Sequence, residues 1–193
     1  MILSTILLNI IGIFEVDYET RSDINVYKST TLYDEAYKQC AKGHFATKVF
    51  GEPLSCLNDT FLMYSLDQLG ARPTQAESPD MTHLVRQMHF EDPHVISAEL
   101  ISNKQGQVIR LEARLSDELK MEDLREVAKK ISKLHGQPDV NPPNPQMPMW
   151  GWITQDGFEI RLYTNTINGN RHVSITQHQS HGTLRDLKTK TVK

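Results

Sequence analysis

The chain has 193 residues and a formal charge of −3, from 21 Lys and Arg against 24 Asp and Glu. That is the size of one ordinary domain, and the near balance of charge excludes a general phosphate-binding surface, and with it the electrostatic case for nucleic acid. A hydrophobic content of 38% with mean hydropathy −0.46 suits a folded soluble body and is too polar for a membrane protein, while two cysteines exclude a Cys-only zinc cage or a disulfide-dense scaffold.

Positions 2 to 14 carry no charge. The run is shorter than the roughly 20 apolar residues that span a bilayer, and its length suits the apolar region of an export signal. Against that, no Lys or Arg precedes it and no small-x-small site follows; Glu15, Asp17 and Glu19 come next. Residues 1–14 are read as a signal or poor anchor, the only route to a membrane if it is retained. A misplaced start codon and a strand or helix buried in the fold are the alternatives. Cys40 and Cys56 would close a loop that a disulfide stabilises by about 3 kcal/mol in the chain-entropy picture. Such a bond persists in an oxidising compartment. The expected location is therefore periplasmic or secreted; two separate buried thiols in a cytoplasmic protein are the alternative. Cys40 and His44 share a helical spacing, but no Asn or Asp is placed to orient the pair for thiol catalysis.

Residues 15–30 read as a polar linker. Thr31 with Asp34 makes a capping box for a short helix that Gly43 ends. A second helix runs from beyond Pro53 to about Leu69, with Leu54, Leu57, Phe61, Leu62 and Leu66 as its apolar stripe. Met81, Leu84, Val85 and Met88 predict a third, short one, stopped at Pro93. The period then falls to two. Ile96, Ala98 and Leu100, and after a turn at 103–106 Ile109, Leu111, Ala113 and Leu115, form a hairpin with one buried face. An amphipathic helix over Asp117 to His135 turns Met121, Leu124, Val127, Ala128, Ile131 and Leu134 inward and pairs Glu126 with Lys130. Gly136 and Pro138 close it.

Five prolines within 137–148 make an extended connection. Trp150 to Ile153 and Phe158 to Tyr163 form a hairpin around Asp156-Gly157. A turn at 168–170 then leads to a strand with Val173 and Ile175, and residues 179–193 read as a polar basic tail. The expected fold class is α+β: N-terminal helices, then an antiparallel sheet with one amphipathic helix on one face, in a single domain over 31–178. The return strands Gly106-Gln107-Val108-Ile109-Arg110-Leu111 and Gly157-Phe158-Glu159-Ile160-Arg161-Leu162 are alike. They suggest two helix-plus-hairpin repeats, 52–116 and 117–178.

No phosphate-cradling glycine loop, nucleophile elbow or zinc-protease motif is present, and no cofactor is implied. His172, His178 and His181 are weak candidate metal ligands near a polar tail, and His83, His89 and His94 weaker ones. The polar sheet face is the better site. Opposite Leu111 and Leu162 it collects Arg110, Arg114, Arg161 and Tyr163, with Glu112, Glu159 and His172. Trp150 and Trp152 share a strand face whose side parity leaves undecided. On the open side they would join the Arg residues and Tyr163 in a surface of the kind that binds proteins; in the core, the charges would simply pair across strands. The expected function is a non-enzymatic, exported bacterial-type protein that binds another protein through this face, as an inhibitor, immunity protein or envelope-assembly accessory. The alternatives are a small metal-dependent hydrolase using the C-terminal histidines, or a cytosolic protein of unknown role.

Overall fold

The computed structural model describes residues 4–12, 47–49, 52–54, 72–73, 83–104, 106–141 and 148–177. Its centre is a seven-stranded antiparallel sheet. In chain order the strands are β3 (Arg72–Pro73), β4 (His83–His89), β5 (Val95–Asn103), β6 (Val108–Leu115), β7 (Met149–Ile153), β8 (Phe158–Thr164) and β9 (Arg171–Gln177). They lie side by side as β3-β4-β5-β6-β9-β8-β7, so the last strand inserts between the two hairpins and joins them. A separate two-residue pair, β1 (Lys48–Val49) with β2 (Glu52–Pro53), and two helices, α1 (Thr5–Ile10) and α2 (Met121–His135), complete the described elements. The class is α+β.

Alternation sends one side of the sheet to α2, and the residues between those positions form the other side. Leu100, Leu111, Ile175, Ile160 and Trp152 run across the covered face in register, and Met88, Ala98, Ala113, Val173, Leu162 and Trp150 form the next row. All of them belong to one buried apolar cluster with Leu124, Val127, Ala128 and Ile131 of α2. Each Leu, Ile, Val or Met among them gains about 1.5–3 kcal/mol on leaving water.

The elements differ from their sequence expectations at several places, each for a local reason. The segment expected as a third helix around Met81 to Met88 is β4; pairing with β5 over seven residues puts Met88 in the core and outweighs a weak apolar spacing of helical type. Arg72–Pro73 lies at the sheet edge, the place in a sheet where proline is tolerated. Two register shifts interrupt the β5–β6 hairpin. Each carries one extra residue, Ile96 in β5 and Ile109 in β6, so neither takes the inward place that alternation assigned it. Val95 and Val108 are buried instead.

Helix α2 begins four residues later than expected. Ser116 first makes a turn, its carbonyl accepting the Leu119 N–H at 3.3 Å, and the Asp123 carboxylate then accepts the Lys120 N–H at 2.7 Å. Its C-terminal turn leaves the core: Leu134 is 51% exposed. Glu126 pairs with Lys129 at 2.6 Å where Lys130 was expected. Gly136 (φ 86°) and Gly157 (φ 86°) hold the left-handed conformations that end α2 and turn the β7–β8 hairpin.

Residues 4–12 pack inside the fold. Ile6, Leu7, Leu8, Ile10 and Ile11 belong to the same buried cluster as the sheet, which is the buried-helix alternative to a signal or anchor. The Ser4 N–H donates to His94 Nδ1 at 2.8 Å, and a β-carbon at Gly12 would collide with the Lys48 carbonyl. The linker 15–30, the helix of 31–43, the second helix beyond Leu54, the tail 179–193 and the Cys40–Cys56 pair lie outside the described residues. So does the helical part of the first of the two suggested repeats; the second, α2 followed by β7–β8, is described as a helix and hairpin.

Candidate functional site on the open sheet face

The open face is built from the residues that alternate with the core. One row reads Gln87, Glu99, Glu112, Ser174 and Arg161; the next reads His89, Ser97, Arg114, His172 and Tyr163; a third carries Arg110, Thr176 and Glu159. Four of the six residues expected to bind, Arg110, Arg114, Arg161 and Tyr163, therefore share this face. Trp150 and Trp152 do not. They lie in register with Leu162 and Ile160 on the helix-covered side, and Trp152, 1% exposed, donates its indole N–H to Ser132 Oγ of α2 at 3.3 Å. Two large indoles on a short edge strand find more apolar surface under a helix than an open face offers. The open-face surface is thus charged, with no tryptophan anchor.

Glu112 is the hub. Its carboxylate pairs with Arg110 on its own strand and accepts the Tyr163 hydroxyl at 2.6 Å from two strands away. His172 lies between, its Nδ1 2.9 Å from Glu112 Oε1 but without the alignment of a hydrogen bond. The Tyr163 and His172 rings stack at 5.3 Å with 16° between their planes. Beside them Arg161 pairs with Glu159. Glu99 and Glu112, directly opposite across β5 and β6, would repel; Arg110 beside Glu112 and Gln87, whose amide reaches Glu99 at 3.5 Å, offset that. The sequence suggested Arg–Glu pairs across strands, whereas Arg110 with Glu112 and Arg161 with Glu159 pair two residues apart on a single strand; the hub was not legible either, because Glu112 and Tyr163 meet only through β9 inserted between their hairpins.

These residues border a shallow basin of about 310 Å³ lined by Gln87, Ser97, Glu99, Arg110, Glu112, Arg114 and His172. Beneath it the Nε of Arg114 and both ring nitrogens of His172 are buried without hydrogen-bond partners. Burial, then the charges of Arg114 and Arg110, hold the His172 imidazole below its ordinary range, so it is neutral near pH 7. Burial pushes the Tyr163 phenol up, so it stays a donor to Glu112.

Of the three C-terminal metal candidates, His172 is the one within the described residues. His172 faces two guanidinium groups, which disfavour a second cation, and His178 and His181 lie outside the described residues. His83 and His89 sit on β4 while His94 lies in the β4–β5 turn holding Ser4. Among the described residues no three metal-binding side chains cluster.

No family model matches the chain, and no curated protein matches it significantly. Among solved structures, a DUF4309 family protein (YjgB) from Bacillus subtilis is similar to it at 16% identity, over 76% of this chain and 93% of the other, with a TM-score of 0.40.

Proposed function

We propose that the protein is a non-enzymatic binding module that holds another protein against its open sheet face. One observation carries the reading: Arg110, Glu112, Tyr163 and His172 brace one another beside a basin that Arg114 also lines, with Arg161 on the same side of the sheet, on a face that no described element covers. Braced charges on a flat sheet suit recognition, because side chains already fixed lose little freedom when a partner arrives. Arg110 and Arg114, each more than a third exposed, still offer donor groups outward, and arginine is enriched at protein interfaces for that reason.

The test is differential capture from extracts of the native cells, comparing wild-type bait with the double variant Arg110→Glu/Arg114→Glu and with Glu122→Lys on the exposed side of α2 as control. The reading expects a stoichiometric protein retained by wild type and control and lost by the double variant, all three baits having the same circular dichroism. Identical capture profiles overturn it.

The proposal extends to an exported, envelope-located protein. Its support is the Cys40–Cys56 spacing, while the core packing of residues 4–12 favours the cytoplasmic alternative. Alkylation of native protein under denaturing conditions separates them: no alkylated cysteine supports export, and two alkylated cysteines end that part of the proposal.

A further inference from the structure

On the opposite side of the sheet a second groove runs between α2 and the segment that follows it. Its volume is about 680 Å³, and it is lined by Arg125, Ala128, Lys129, Ser132 and Lys133 on one wall and Gln137, Pro138 and Asn141 on the other, with Trp150 on the floor. The helical wall is a single face, at spacings of three and four. The other wall is pinned. Val140 and Gly151 exchange both backbone hydrogen bonds, at 3.1 and 3.0 Å, and the Asp139 carboxylate accepts the Ile153 N–H at 2.7 Å, so the segment is fixed to strand β7.

The charge is one-sided. Among the described lining residues three are cations and none is acidic, on a chain whose net charge is −3. Glu126 bridges Lys129 at 2.6 Å from outside the groove, and both partners are largely exposed, so an incoming anion competes with a weak pair. The floor is the other half of the chemistry: Trp150, 9% exposed, with Ala128 and Pro138 beside it.

Arg125, Lys129 and Lys133 recur every fourth residue, which on a helix spaces them by about 6 Å. An extended peptide repeats its side chains on one side every two residues, about 7 Å apart. We infer that this groove binds an extended acidic peptide segment, with carboxylates at alternate positions set against Arg125, Lys129 and Lys133 and the intervening side chains turned to the Trp150 floor. The site is independent of the open-face reading and lies on the other side of the sheet.

The experiment titrates the full chain into a fluorescein-labelled octapeptide with Glu at alternate positions and Ala or Leu between. Anisotropy follows the peptide, and tryptophan emission follows the groove floor. Saturable binding is expected, with a change in tryptophan emission, affinity falling as salt rises, and a loss of about tenfold or more in Arg125→Glu/Lys133→Glu, whose exposed positions leave folding intact. Lys104→Glu, an exposed change in the turn between β5 and β6, is expected to bind the peptide as wild type does. Absence of saturable binding, an unchanged affinity in the groove variant, or equally tight binding of an oligodeoxythymidylate or of inorganic polyphosphate overturns the assignment; the last two ligands would mark a general anion surface.

Discussion

The two faces of the central sheet come from the same strands and differ in what holds them together. On the covered face Leu100, Leu111, Ile175, Ile160 and Trp152 meet in register beneath α2, and their stabilisation is non-directional burial. On the open face Glu112 gathers Arg110 and Tyr163, with His172 stacked on the phenol, and the contacts are directional and half wet. The covered face sets stability. The open face adds less to it, through contacts that each depend on a particular partner.

Leu111→Ala strikes the centre of the covered face, where the side chain is wholly buried. It is expected to cost about 2–5 kcal/mol in urea denaturation, while Arg114→Ala on the same strand, a long 3.4 Å pair with Asp117, costs less than about 1 kcal/mol. Equal costs would break the contrast. Removing the hub tests whether the open face is a network: Glu112→Ala strands the Tyr163 hydroxyl, half-buried, and is expected to cost about 1–3 kcal/mol. In Tyr163→Phe the same Glu112 substitution should cost less, a coupling that a double-mutant cycle reads directly.

The pH dependence follows from the imidazoles. His172 is held below the ordinary 6.5 by burial, then by Arg114 and Arg110, and His135 by burial, partly offset by Asp156. In the unfolded chain both accept protons at the ordinary value while the folded chain resists. Stability is therefore whole above about pH 6.5 and declines as pH falls from there toward the lowered folded values. His172→Gln and His135→Gln should each flatten that decline in urea midpoints; an unchanged slope in the double variant would assign it to other groups. The smallest effect expected is at Leu134. Half exposed, it should tolerate Ala within about 0.5 kcal/mol, whereas Ile131→Ala one turn earlier, fully buried, should cost about 2–5 kcal/mol.

Much of this architecture is local and could be read from the chain. The hairpin turn at Asp156-Gly157 has its chemistry in two residues, and in the structure Gly157 adopts the positive φ that chemistry predicts. The amphipathic stripe of α2 put Leu124, Val127, Ala128 and Ile131 inside. The alternation of Val173 and Ile175 with His172, Ser174 and Thr176 fixed which side of β9 faces the core. The bulges at Ile96 and Ile109 were not legible, since one extra residue in a strand leaves the apolar alternation intact on paper while moving it off the core in space. Nor was the side on which Trp150 and Trp152 lie, because parity along one strand has no sign until a neighbour is assigned.

The sequence by itself determined the α+β class, the turns, the helix stripe and the residues of the charged surface, all of which rest on interactions within a few residues. Tertiary structure alone decided that β9 would lie between the two hairpins, that β4 would be a strand, and that residues 4–12 would be core. These outcomes depend on pairing and burial between segments far apart in the chain, such as Ser4 with His94 and Glu112 with Tyr163, and no local pattern encodes the partner. The same insertion of β9 brought the hub together, so the candidate site exists only because of a choice made by the fold.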